Sequence, residues 1–143
     1  MDTETEMKKT HIVLRWIAVL FAAVLGSLIA YIIAALWIGI NNVGYELYTG
    51  ATTLSLTKII LGIAAQAIAG AASVYCGALT APSNRKTCSV VIATIICIIA
   101  LSSIFIYNLM HGFSFLQLIH CLASATGAIA VSYNFDEIDA NNK

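Results

Sequence analysis

The sequence has little charge and almost no proline. Only 10% of its 143 residues are charged, one proline stands at position 82, and 60% of the residues are hydrophobic. Soluble domains carry about 25% charged residues, so this composition excludes an ordinary soluble fold and is typical of a membrane protein. The seven basic and seven acidic residues cancel, which leaves no net charge to attract nucleic acid.

The sequence also lacks the parts of an active site. Its four cysteines form no CxxC pair, which argues against a disulfide framework, a zinc site and a dithiol oxidoreductase. The long apolar segments contain no acidic residue, and the chain has no glycine-rich phosphate loop. We therefore expect a protein that is not an enzyme and has no cofactor. The motifs indicate no known family.

Four apolar segments separate the charged stretches. They cover residues 14–40, 58–81, 88–107 and 113–133, and each is close to the about 20 residues that cross a bilayer as a helix. The first is too long for the apolar region of a cleaved signal peptide. We predict an all-α, polytopic membrane protein. Residues 1–143 form one domain with four transmembrane helices in an antiparallel bundle and short tails at residues 1–13 and 134–143.

The connections between these segments are predicted from their polar residues. Residues 41–57 form the longest polar connection, in which Glu46 and Lys58 are a candidate surface ion pair. Pro82 ends the second helix, and the third begins at Thr87 or Ser89. Residues 108–112 form a short turn that carries an exposed His111.

The basic residues predict the orientation of the chain. If the N-terminus is cytoplasmic, six basic residues lie on the cytoplasmic side and only Lys58 lies outside. The positive-inside rule therefore predicts that both termini are cytoplasmic, as in a multi-pass protein of a cytoplasmic (inner) membrane. The six are Lys8, Lys9, Arg15, Arg85, Lys86 and Lys143.

Two of the apolar segments carry small residues at every fourth position. Such small-xxx-small patterns let helix backbones approach closely, which is a main source of helix association in lipid. We predict that these ladders pack the first two helices against each other. The first ladder is Ala18, Ala22, Gly26, Ala30 and Ala34, and the second is Ala65, Ala69, Ser73, Gly77 and Ala81.

Three polar side chains within the apolar segments form a candidate intramembrane site. Gln117 and His120 are three residues apart and share a helix face. Gln66 and His120 both lie about 10 to 12 Å along their helices from the outer side, so the two can meet. A histidine at this depth is a candidate proton-coupled group. Alternatively, a neutral His120 hydrogen-bonded to glutamine holds two helices together, with a free energy of about 1 kcal/mol.

Two functions are compatible with these features. The first is a non-enzymatic accessory or interaction subunit that packs against other membrane subunits, or against copies of itself, through its small-residue faces. The second is a small homo-oligomeric transporter or channel whose path is lined by Gln66, Gln117, His120 and Ser73. In both, the surrounding partner is the lipid bilayer.

Overall fold

The chain is all-helical in the computed structural model, which describes residues 3–49 and 55–141, with side chains described at residues 12–40 and 58–137. It contains α1 (Thr3–Thr49), α2 (Ser55–Thr80), α3 (Arg85–His111) and α4 (Phe115–Asn141). Each of these four helices has a segment long and apolar enough to cross a membrane. The predictions of an all-α fold and of four such helices are confirmed. The apolar segments are Ile12–Ile40, Lys58–Thr80, Arg85–His111 and Phe115–Glu137.

The helices extend beyond the apolar segments that predicted them. The predicted connection at residues 41–57 is wrong over residues 41–49, which continue α1, and over residues 55–57, which begin α2. The Glu46 side chain lies outside the described residues. In the tail regions, α1 already starts at Thr3 and α4 continues to Asn141. A change to polar residues marks where an apolar surface ends, but only a missing hydrogen bond or a clash, as at proline, ends a helix.

The turn between α2 and α3 is shorter than predicted. The third helix begins at Arg85 rather than at Thr87 or Ser89, because Asn84 adopts a left-handed conformation (φ 49°, ψ 50°) that reverses the chain. Asparagine tolerates this region better than most residues. The Asn84 carbonyl then accepts a hydrogen bond from the backbone N–H of Cys88 at 3.0 Å.

The turn between α3 and α4 is also displaced. The helix that was predicted to end before residue 108 continues through His111, whose ring stacks on Tyr107 with 4.8 Å between ring centroids. Gly112 ends it with φ 77°, a backbone conformation that glycine adopts without strain. The connection therefore comprises only residues 112–114.

Within the described part of the chain, α2 is the central helix and packs against α1, α3 and α4. Successive helices run antiparallel: Gly77 of α2 faces Ala23 of α1 and Ile92 of α3. By contrast, α2 and α4 run parallel. The best-packed core lies in the half of the bundle near the turn at residues 81–84. It comprises Val19, Ala23, Val74, Ala81, Cys88, Ile92, Ala93 and Ala128.

Candidate functional site

The structure brings the three predicted polar side chains together. Gln66 of α2 and both Gln117 and His120 of α4 line one cleft of about 290 Å³, in the half of the bundle opposite the core. We call it the histidine cleft. Its remaining lining residues are Ile96, Ile99, Ala100, Ser103, Cys121 and Ser124.

A larger cleft of about 520 Å³ adjoins the histidine cleft. It lies between α1 and α3, which pack against each other little or not at all in the described part of the chain, and we call it the α1–α3 cleft. The two clefts share Gln66, Ile96, Ile99 and Ser124, so they lie next to each other. The other lining residues of the α1–α3 cleft are Val24, Ser27, Leu28, Tyr31, Ala69, Gly70 and Ser73.

Apart from His120, the polar lining consists mainly of amide and hydroxyl groups. Gln66, Gln117 and the candidate path residue Ser73 all face these two clefts, together with Ser103 and Ser124. None of the lining residues is a lysine, arginine, aspartate or glutamate. The clefts can therefore donate and accept hydrogen bonds but offer no carboxylate or ammonium group to balance a charge.

His120 does not make the hydrogen bond to glutamine that the sequence suggested. Its Nε2 is buried and has no hydrogen-bond partner. The ring lies against the backbone of α2 at Gly62, where an added Cβ would be 3.4 Å from Cε1 and 3.6 Å from Nε2. Leaving a buried polar atom unpaired costs about 1–3 kcal/mol, so this nitrogen is the least satisfied group at the site.

Gln117 bonds within its own helix instead of to α2. Its side-chain amide donates a hydrogen bond to Cys121 Sγ at 3.7 Å, one turn along α4. Sulfur is a weak acceptor, so this contact holds the amide less strongly than an oxygen would. Its backbone N–H lies 3.5 Å from Ser114 Oγ at the start of the helix.

The two small-residue ladders differ in burial. All five residues of the second ladder are buried, four of them in α2 and Ala81 directly after its end. In α1, Ala18 is exposed, and Ala22, Gly26, Ala30 and Ala34 are half-buried, while the fully buried positions are Val19 and Ala23. Ala30 and Ala34 face Ala64 and Ala65 across an apolar groove between the two helices.

Two glycines outside the ladders mark the closest approach between helices. A Cβ added to Gly70 of α2 would overlap the backbone carbonyl of Ser124, and one added to Gly127 of α4 would overlap that of Ala67. These contacts join α2 to α4, a pair that the ladders did not predict. The sequence signal was present, since Gly127 lies on a stripe with Ala123 and Val131.

Lys86 makes a second contact that the sequence did not reveal. Its Nζ donates hydrogen bonds to the backbone carbonyls of Ser132 and Tyr133, both at 2.8 Å, and lies 3.4 Å from Asp136 Oδ2. The residue that contributes to the positive-inside pattern thus also ties the start of α3 to α4.

In the part of the chain that the structure describes, no three histidine, cysteine, aspartate or glutamate side chains are grouped closely enough to hold a metal ion. A scan against protein-family models gives no match, and searches of curated proteins and of solved structures find none either.

Proposed function

We propose that this protein is a four-span, multi-pass protein of a cytoplasmic membrane, with both termini cytoplasmic, that acts as a non-enzymatic accessory or interaction subunit. Its partners are other membrane subunits or further copies of the chain, and the small-residue ladders hold its first two helices together in lipid. The orientation rests on the excess of basic residues at one end.

The observation that supports this proposal is the exposure of α1. Among residues 12–40, only Val19 and Ala23 are buried, because α1 packs on α2 and leaves its other faces uncovered. A helix held on one side presents a long surface to lipid or to the helices of another subunit. This surface includes Phe21, Leu25, Ile33 and Leu36.

The test is purification in mild detergent from the native membrane, with mass determination and identification of copurifying proteins. We expect a stoichiometric partner that dissociates more readily from a Phe21→Ala variant. Phe105→Ala is a matched control, because Phe21 and Phe105 are 66% and 67% exposed but Phe105 lies on α3. Purification of the chain alone as a monomer would contradict the proposal.

A homo-oligomeric transporter or channel is the second candidate function. The polar residues of two adjacent clefts support it, with Ser73 in one cleft, Gln117 and His120 in the other, and Gln66 in both. Reconstituted protein is then expected to move a small solute, and His120→Ala is expected to abolish the flux. His111→Ala, at an exposed histidine on the end of α3, should leave the flux unchanged. A defined homo-oligomer that has no other subunit and moves a solute favours this function over the accessory one.

A further inference from the structure

We propose that the histidine cleft and the α1–α3 cleft together bind one uncharged amphiphile, with its hydrogen-bonding head at His120 and its apolar chain between α1 and α3. The ligand class is a neutral lipid-like molecule with hydroxyl or carbonyl groups in its head. The inference deepens the second candidate function and rests on the same clefts, but it requires binding only and not transport.

The unpaired nitrogen of His120 is the first observation. Buried polar atoms almost always have a hydrogen-bond partner, and nothing in bilayer hydrocarbon supplies one. Nε2 has none and lies against Gly62, which carries no side chain. A ligand head in the cleft provides this partner when the ring turns about its Cβ–Cγ bond, away from α2.

The neighbouring groups fix the chemistry of the head. Gln66 and Gln117 line the same cleft, and the Gln117 amide is held only by a weak bond to the Cys121 sulfur. Amides can bind both hydroxyl and carbonyl groups. No lining residue is a lysine, arginine, aspartate or glutamate, so a carboxylate or ammonium head would enter an apolar region without a permanent opposite charge.

The shape of the α1–α3 cleft supplies the place for the chain. Val24 and Leu28 of α1 face Ile96 and Ile99 of α3 across it. Its volume of about 520 Å³ falls in the range of about 300–1,000 Å³ typical of small-molecule sites. The two clefts are adjacent, with Gln66 in the lining of both, and the proposed ligand reaches past this residue from one cleft into the other. The α1–α3 cleft opens at the apolar outer surface of the bundle, which favours a ligand that arrives from the bilayer.

The test compares three probes with the same chain length on the full chain in detergent micelles. They are 1-oleoylglycerol, whose head is neutral and polar, oleate, whose head is charged, and 1-octadecene, which has no polar head. Native mass spectrometry measures one-to-one complexes, and thermal unfolding measures the shift in midpoint. We expect 1-oleoylglycerol to bind at least tenfold more tightly than the other two.

Variants then locate the site. Loss of one buried hydrogen bond weakens binding by about tenfold, so we expect this effect for His120→Phe. Ile99→Trp should weaken binding to a similar extent by filling the gap, without disturbing the fold, because Ile99 is 59% exposed. His111→Phe is the matched control and should bind as the unmodified chain does.

Equal binding of the three probes, absence of any one-to-one complex, or unchanged binding by both His120→Phe and Ile99→Trp would overturn the proposal. The result of this binding test can be distinguished from the result of the transport test. A protein that binds 1-oleoylglycerol but moves no solute loses only the transport function, whereas flux without this selectivity overturns the ligand assignment.

Discussion

Glycines in this protein are distinguished by what lies next to them. Gly70 and Gly127 face backbone carbonyls of the opposite helix, and Gly26 faces Cys76, whose Cβ and Sγ would both lie 2.7 Å from an added Cβ. Gly39, on the same helix as Gly26, has nothing within 4 Å. Residue type alone therefore does not say which glycine is required.

Alanine substitutions should change the free energy of unfolding in opposite directions at the closely packed glycines and at Gly39. We expect Gly70→Ala and Gly127→Ala each to lower the free energy of unfolding by about 1–3 kcal/mol, because a backbone cannot move aside as a flexible side chain can. Gly39→Ala should raise it by up to about 1 kcal/mol through helix propensity. Unfolding by denaturing detergent measures all three. If Gly39→Ala lowers the free energy of unfolding as much as the other two substitutions do, close packing is not the cause of their effect.

Lys86 stabilises the contact between α3 and α4 in a way that its charge alone does not indicate. The ammonium group reaches two carbonyls of α4, and Asp136 is 72% exposed, so the carbonyls are the stronger part of the contact. Exposed ion pairs contribute little because water screens them.

Replacing Lys86 should therefore cost more than replacing its acidic partner. We expect Lys86→Met to lower the free energy of unfolding by about 1–2 kcal/mol, a value reduced for the partial exposure of the side chain. Asp136→Asn should change it by less than about 0.5 kcal/mol. Denaturing-detergent titrations at low and high salt provide the measurement. Equal effects of the two substitutions would assign the contact to the ion pair.

At the scale of elements, the helices have unequal roles. The central helix, α2, contacts the three others, whereas α1 contacts mainly α2, along a face that includes Val19, Ala23 and Gly26. The helices α2, α3 and α4 contact one another directly, so they form a group to which α1 is added from one side. Helices that insert independently can associate in this way afterwards.

This arrangement predicts that the chain can be divided between α1 and α2. Fragments 1–50 and 54–143, expressed together, should copurify from detergent. Gly26→Leu should abolish their association, because Cys76 and the Ala72 carbonyl occupy the space. Gly39→Leu is the control and should have no effect, since its surroundings are open. Copurification of the Gly26→Leu fragments would show that another surface joins them.

At the scale of the whole molecule, one half of the bundle is closely packed and the other is open. The buried core and the Lys86 contact lie near the turn at residues 81–84, and the two clefts lie toward the opposite end. In the first half, alanine, valine, cysteine and isoleucine side chains are buried against one another. In the second half, α1 and α3 remain apart, which leaves the polar groups facing a gap.

The proposed orientation makes a prediction for the intact molecule. In a variant without the native cysteines, Met110→Cys should react with a membrane-impermeant maleimide in whole cells, because Met110 is 73% exposed at the end of α3. Lys143→Cys should react only after lysis. If Lys143→Cys reacts in whole cells and Met110→Cys reacts only after lysis, the termini are not cytoplasmic. Protein yield and thermal stability serve as controls for the cysteine replacements.

The candidate site was only partly predictable. Gln66 and His120 were expected to meet because their distances along the helices match, and the structure places them in one cleft. Sequence spacing does not give the rotation of a helix about its axis or the direction of a side chain. For this reason the sequence did not show that Nε2 lacks a partner, that Gln117 binds Cys121, or that the two clefts are adjacent.

The sequence by itself determined the helical class and the number of apolar helices, because the length and hydropathy of a segment are local properties and apolar runs of this size are stable as helices in lipid. It also identified a ladder of small residues on each of the first two helices. Only the tertiary structure decided that α2 approaches α4 most closely at Gly70 and Gly127, and that α1 and α3 stand apart. Those features depend on how four helix surfaces fit together at once, which no single segment encodes.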